Sequence, residues 1–500
     1  MFKISYKMTR ILTPVSFWKP IGPFISFISK YTTTTSNEDI HLPYLTDGLY
    51  SGTIDWGDGT TSNNSYANRI HTYVSSGTHT ITISGQIEGY NNAPFGSGGD
   101  STSASKLVEI TQWGSLIIDG FFTFLDCTSL ILDNVTDIAT LATPNPGSLG
   151  QMWGTFSGCS SLVTCPYMDQ WDMSGVGTCE SMFQGCTNFN QPLNNWDMSN
   201  VYSTKYMFAG CTNFNQPLNN WNTSNLRFVG SMFEECTNFN RPLNNWDVSQ
   251  VFTIPNNYEG GFRYMFSGCT NFNSSLAGWD VSGANSAYFL GIGNMLDGMF
   301  LNCTNFNQPL NTWYTSGIFS TYGMFSGCTN FNQPLNNWNM ASVRAMGYMF
   351  EECTNFDQPL NNWNFLSNGQ VQITASGMFR GCTDFNQPLN NWNFSLFWLI
   401  DSMFQDCSSF NQPLNNWDTS GVSNMTYMFS GCIIFNQPLN SWDTSNVFSN
   451  GMIGMFMGCT VFNRDLSDWC VTNIPSTPNL FESGTPAWSL PKPVWGTCPP

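Results

Sequence analysis

Met182-Phe183-Gln184-Gly185-Cys186-Thr187-Asn188-Phe189-Asn190-Gln191-Pro192-Leu193-Asn194-Asn195-Trp196 decides the fold, because the chain repeats it. Its frame, Met-Phe-x-x-Cys-x-x-Phe-x-x-x-Leu-x-x-Trp, occurs eleven times, with cysteines at 186, 211, 236, 269, 303, 328, 353, 382, 407, 432 and 459. Every Trp follows its Cys by ten residues, from Trp196 to Trp469. Looser copies around Cys127 (Phe124, Leu130) and Cys159 (Phe156, Leu162) precede these, making about thirteen coils with a usual period of 25 residues. Self-similarity at this period marks a solenoid, in which each coil buries its apolar side only by stacking on the next.

The apolar spacing inside the block could be drawn on a helix, but Pro192 and its equivalents forbid one. An interior proline costs a helix about 3 kcal/mol, and the Asn-rich flanks favour turns. The expectation is therefore a mainly β chain: a short helical or 3₁₀ turn at Met-Phe-x-x-Cys, then an extended segment through Phe, Leu and Trp. A corner at Trp-Asp-x-Ser follows, and then a return arm. Stacked in register, identical side chains form ladders. Cys186, Cys211, Cys236 and Cys328 are expected as small buried hydrophobes, beside Trp196, Trp221 and Trp246.

The block never changes length, but the return arm does. From Trp to the next Met the interval is 11 in most copies, 13 after Trp442, 15 after Trp363, 19 after Trp246 and 20 after Trp279. The extra residues all enter at one place in the coil, so they should emerge on one side. The two longest arms, 247–264 and 280–298, carry Phe252, Tyr258, Phe262, Tyr264, Tyr288 and Phe289. Insertions of this kind often form a solenoid's binding face, and these six are the expected interaction residues.

Composition narrows the partners. The formal charge is −18, from 15 Lys+Arg against 33 Asp+Glu. Nucleic acid is thereby disfavoured, since affinity for phosphates rests on basic groups. Adhesion to anionic lipid is disfavoured for the same reason, and no apolar run reaches the ~20 residues of a spanning helix. Five of the cations and none of the acids fall in residues 1–37. With prolines at 14, 20 and 23 interrupting every apolar run, this start lacks the continuous core of a signal peptide. It reads first as an extended basic arm, with Lys3, Lys7, Arg10, Phe17, Trp18, Lys19 and Phe24 as the anchoring residues; a degenerate signal peptide and a frayed terminus are the alternatives.

Residues 40–104 differ from the array. Leu49 to Trp56 and His79 to Ser84 alternate as half-buried strands do, on either side of the tight-turn string Gly57-Asp58-Gly59-Thr60. A small β-sandwich module followed by a Gly/Ser-rich linker over 91–103 is expected. The string Ile54-Asp55-Trp56-Gly57-Asp58-Gly59-Thr60, with His71-Thr72-Tyr73 and Gly77-Thr78-His79-Thr80-Ile81, resembles the PKD-like modules of extracellular proteins. The repeats resemble those of BspA-type leucine-rich-repeat surface proteins. Lys106-Leu107 with Gln112-Trp113-Gly114 resembles that family's joint, and Trp469-Cys470 to Trp495-Gly496-Thr497-Cys498-Pro499 resembles its terminal cap. Such proteins occur on bacterial surfaces and are encoded by large DNA viruses. The resemblance implies adhesion or interaction and carries no catalytic residues.

The residue inventory agrees. The three histidines, His41, His71 and His79, all precede the array, so neither a hydrolytic triad nor a His-based zinc site is available within it. The residue after Trp is Asp at 197, 247, 280, 418 and 443 but Asn at 222, 339, 364 and 393. It therefore behaves as a corner rather than an acid. No metal or cofactor is expected. Of the 17 cysteines, Cys165, Cys179, Cys470 and Cys498 stand outside the column, and a capping disulfide between Cys470 and Cys498 would suit an oxidising setting.

The sequence thus divides into a basic arm (1–39), a PKD-like module with linker (40–104), a solenoid (105–470) and a cap (471–500). The expected function is a non-enzymatic structural or attachment protein on the surface of a large virus particle. It would bind other coat proteins, a host receptor or a glycan, with homo-oligomers allowed. The alternatives are a secreted cell-surface adhesin and, remotely, a carbohydrate-active enzyme.

Overall fold

The computed structural model describes residues 25–93, 99–142, 149–251, 261–282, 295–365 and 372–499. The chain is mainly β, and its described helical segments are single 3₁₀ turns such as 168–170 and 394–396. It forms two compact units, one up to Leu226 with Met232–Arg241, the other Arg227–Ser231 with Pro242 onward.

The first unit opens with strands. These are β1 (Phe27–Thr33), β2 (Glu38–His41), β3 (Tyr44–Tyr50), β4 (Thr53–Asp55), β5 (Thr61–Asn63), β6 (Ile70–Tyr73), β7 (Gly77–Ser84), β8 (Ile87–Tyr90), β9 (Leu107–Gln112), β10 (Leu116–Ile118) and β11 (Thr140–Leu141). They make a five-stranded sheet in the order β5-β4-β7-β1-β9, a four-stranded sheet β11-β10-β8-β3, and the pair β2-β6. Strand β1 corrects the expected arm boundary of 39. Its alternate residues Phe27, Ser29, Tyr31 and Thr33 are buried, and it pairs antiparallel with both β7 and β9. Lys30, counted with the arm's cations, instead pairs with Glu109 of β9 at 2.6 Å. The period-2 burial of Phe-Ile-Ser-Lys-Tyr-Thr-Thr is that of a strand covered on one face. The anchoring residues from Lys3 to Phe24 lie outside the described residues.

The expected linker is likewise packed at its ends. Asn91 and Asn92 are buried, and Asn92 Nδ2 donates to Thr123 O at 2.9 Å. Strands β9 and β10 lead directly into the coils: Trp113 is fully buried, and the backbone N–H groups of Trp113 and Gly114 both donate to the Asp137 carboxylate at 2.7 Å.

In the coils the expected helical or 3₁₀ turn has the i→i+3 bonds of a 3₁₀ turn but an alternating backbone in place of a helix. Cys186 N donates to Phe183 O at 3.0 Å, and Phe189 N to Cys186 O at 3.0 Å. The residue before each Met and the one before each Cys take a left-handed backbone, as at Ser181 (φ 54°) and Gly185 (φ 75°). Glycine is favoured there because it pays no Cβ penalty. The alternation turns the N–H of every second residue toward the next coil: Ser181 to Lys205 O at 2.8 Å, Phe183 to Met207 O at 2.9 Å, Gly185 to Ala209 O at 2.7 Å. The second unit repeats the pattern, with Phe325 N on Met349 O at 2.9 Å and Gly327 N on Glu351 O at 2.7 Å.

The Phe–Leu–Trp segment carries no named strand; parallel pairing is confined to short pieces such as β12 (Gly150–Gln151) with β13 (Val176–Thr178), and β14 (Ile373–Thr374) with β15 (Phe397–Leu399). Side chains make the rungs instead. The Asn190 carboxamide oxygen accepts from Asn215 N at 3.0 Å, and Asn307 does the same for Asn332 N at 3.0 Å. Gln333 Nε2 joins the same oxygen at 3.0 Å. Proline has no N–H to give a ladder, so the neighbouring Asn and Gln supply the link.

The ladders are buried. Every free cysteine is buried, Cys186, Cys211, Cys236 and Cys328 among them. Thiols of the column reach back to the Phe carbonyl of the preceding coil: Cys211 Sγ donates to Phe183 O at 3.0 Å and Cys328 Sγ to Phe300 O at 2.9 Å. Trp196 and Trp221 stack at 6.5 Å, as do Trp246 and Trp279. Each indole N–H also reaches back one coil, Trp338 Nε1 to Leu310 O at 3.0 Å. Replacing Trp338 by Phe should therefore destabilise the chain by about 2–4 kcal/mol, from lost volume and the lost hydrogen bond to the Leu310 carbonyl. Asn330→Ala, in an exposed column, should cost less than about 1 kcal/mol. Urea midpoints of the two variants against the parent check the ordering.

Candidate functional site

In the second unit the ends of the two longest return arms lie side by side. Phe262 N donates to Met295 O at 2.9 Å, and Tyr264 N to Asp297 O at 3.0 Å. Of the six expected interaction residues, Phe252, Tyr258, Tyr288 and Phe289 lie outside the described residues. Phe262 is corrected. It is fully buried and stacks on Trp279 at 5.5 Å, so it is a core residue held inward by the Trp ladder. Tyr264 is half-buried at the surface, with Arg263 over its ring at 5.0 Å.

Beside Tyr264 lies a cluster that sequence reasoning missed. Tyr264, in a left-handed conformation (φ 52°), lays its ring over Gly298, where a Cβ would sit 2.2 Å from the ring carbons. Tyr348 covers Gly377 and Tyr427 covers Gly454 in the same way. Tyr322 is exposed and meets Tyr348 edge-on at 5.5 Å. Buried Asp297 accepts a hydrogen bond from Ser320. Burial raises its carboxyl above the ordinary value, against the opposing pull of Ser320 and Arg263. Glu351 accepts from Ser326 Oγ at 3.0 Å and from Arg380 at 3.3 Å, and Asp401 accepts from Ser376 Oγ at 2.8 Å. The missed signal was legible. The residue before Met is Tyr at 206, 264, 348 and 427 and Gly at 298, 323, 377 and 454, in a repeat whose core positions hardly vary.

The array's other reactive types are occupied. Desolvation pushes the ladder thiols up, Cys459 to about 12, and so withholds the thiolate that nucleophilic chemistry needs. The residue after Trp closes its own turn: Asp197 Oδ1 accepts Ser199 N at 3.0 Å, and Asn222 Oδ1 does the same for Ser224 N at 3.2 Å. Only an acceptor oxygen is required, which is why Asp and Asn interchange. The three histidines sit in the N-terminal module, His71 on Asp58 at 2.7 Å, His41 on Asp100 at 2.8 Å, and His79 on Thr33 at 3.0 Å. Among the described residues no His, Cys, Asp and Glu cluster suits a metal ion, and no helix is long and apolar enough to cross a membrane.

One family model matches residues 150–263, 262–374 and 373–489, more than half of the chain. The chain belongs to that family, described as Mycoplasma protein of unknown function, DUF285. This family is related to BspA-like repeat surface proteins. No curated protein matches the chain.

Two predictions follow from these contacts. Gly298→Ala should cost about 1–2 kcal/mol, since an L-residue there must hold a left-handed backbone and displace the Tyr264 ring. Adding Tyr264→Ser should recover part of the loss, and non-additivity in a double-mutant cycle of melting midpoints measures the contact. For Asp58, burial would raise the carboxyl, but hydrogen bonds from Thr60 and His71 prevail and bring it from 3.8 to about 2. The stability linked to Asp58 is therefore fully present above about pH 4 and is lost as pH falls through about 2. Asp58→Asn should flatten the stability profile between those limits, as read from urea midpoints at each pH.

Proposed function

We propose that this chain is a non-enzymatic, surface-displayed interaction protein. Its array acts as a BspA-type leucine-rich scaffold of about thirteen coils behind a PKD-like module, and it binds partners along the edge where its return arms lengthen. The observation that carries this reading is the register of Phe262 with Met295 and of Tyr264 with Asp297. It brings the ends of the two longest arms together beside Arg263, Tyr264, Tyr322 and Tyr348. Aromatic and Arg side chains are the types that dominate binding energy at protein interfaces, and 10% of this chain is charged, so a local group of them is notable.

In this reading the protein is a coat or attachment component of a large virus particle, held to other coat proteins by its basic first residues. The disulfide between Cys470 and Cys498 favours a second setting, secretion to a microbial cell surface as an adhesin, because such bonds persist outside reducing compartments. Shortening both long arms to the common interval of 11 residues should leave the melting curve of the array unchanged. The same variant should bind purified particles, or host cells, at least tenfold more weakly. Unchanged binding sinks the proposal. Mass spectrometry of purified particles against secreted fractions separates the two settings.

A further inference from the structure

The end of the array is closed by a segment unlike any coil. After Trp469 the chain folds back over the last repeat, and Cys498 returns to bond Cys470. Three N–H groups of the last coil, of the kind every other coil gives to its successor, are taken by this cap: Gly454 by Asn479 O at 2.9 Å, Phe456 by Phe481 O at 3.0 Å, Gly458 by Ser483 O at 2.7 Å. The ring ladder stops here as well. Phe481 and Trp488 meet Phe456 edge-on at 5.5 and 5.4 Å, and Trp488 meets Phe462 at 4.8 Å, where internal neighbours such as Phe429 and Phe456 stack face to face. The cap holds the last coil's donors and rings under cover.

Two observations separate this cover from the rest of the molecule. The first is that it is thin. From Val471 to Pro499 it has no strand or helix, and its buried residues are few, chiefly Val471, Ile474, Phe481 and Trp488. A segment with so little core depends on a staple. The second is access. Every free cysteine is buried, whereas Cys498 is exposed and Cys470 is half-exposed. Solvent-borne thiols can therefore reach this pair and not the ladder.

We propose that the Cys470–Cys498 disulfide is a redox lock on the cap, and that its reduction uncovers the end of the array. A dithiol reductant attacks the exposed Cys498 sulfur as thiolate and forms a mixed disulfide, releasing Cys470 as thiolate, which takes a proton. The reductant's second thiol then displaces Cys498. One S–S bond is broken, two S–H bonds form, and the reductant leaves as its own disulfide. Freed of its staple, the cap opens. Gly454, Phe456 and Gly458 lose their acceptors, and Cys459, buried in that same last coil, becomes accessible. The proposal is independent of the partner-binding reading of the arms.

The test labels the full chain with an alkylating thiol reagent under native conditions, then maps the label by peptide mass spectrometry. Without reductant no cysteine should react. After mild dithiol treatment Cys470, Cys498 and Cys459 should be labelled, while Cys186 through Cys432 stay protected. Hydrogen exchange should accelerate at Gly454, Phe456 and Gly458 and not at Phe325 or Gly327. The double variant Cys470→Ser, Cys498→Ser should show labelled Cys459 with no reductant present. Label confined to Cys470 and Cys498, with Cys459 and the three amides still protected, means the cap stays shut without its disulfide and overturns the proposal. Label throughout the ladder means global unfolding and overturns it equally.

Discussion

Everything else in the coils depends on how the phenylalanine of each Met-Phe pair is bonded to the coil that follows. Its N–H goes to the next Met carbonyl, and its own carbonyl receives the next Cys thiol, as Phe183 does with Met207 at 2.9 Å and Cys211 at 3.0 Å. Both polar groups of a buried backbone unit are thereby satisfied, and both by the same neighbour. A coil slipped by one residue would leave the N–H without its acceptor, at a cost of about 1–3 kcal/mol, and would leave the carbonyl only the Cys186 N–H of its own coil. Ring stacking then follows from register: once the backbones are fixed, Phe183 and Phe208 have little alternative to meeting at 5.7 Å.

The same constraint explains the residue choices. Cys is small enough for the space beneath the preceding Phe and keeps a donor, a combination no aliphatic residue offers. Asn before Gln-Pro supplies a side-chain acceptor where the chain cannot run as a regular strand. Trp fills volume and sends its N–H to a Leu carbonyl, so the largest side chain of the coil is also a polar tie. These devices account for a long array with few charges.

Where the constraint relaxes, the surface is free to vary. The residue before Met keeps a left-handed backbone, and there the copies differ: Tyr, Ser or Gly. A Tyr in one coil shadows its successor, which at 298, 377 and 454 is Gly. The return arms lengthen just before this residue, while the Met-to-Trp block keeps its length. The cap obeys the same logic at the end of the stack. It offers Asn479, Phe481 and Ser483 carbonyls in place of a further coil and turns its rings edge-on, so that the pattern stops.

The sequence alone determined the repeat, its period, the inward set of Met, Phe, Cys, Leu and Trp, the corner at Trp-Asp-x-Ser and the place where arms lengthen. Each of these is a statement about spacing, and in-register stacking turns spacing directly into contact. It misjudged what depends on partners far along the chain. Phe27 to Thr33 reads as the end of a basic arm until β7 and β9 are seen on either side of it. Phe262 looks like a surface aromatic in a Gly- and Asn-rich loop until Trp279 lies against it. The turn at Met-Phe-x-x-Cys looks helical because its spacing permits a helix; only the acceptors of the next coil select the alternating left-handed backbone that points every second N–H along the stack. Such choices rest on hydrogen bonds and ring contacts between different coils or strands, and a local pattern does not carry that information.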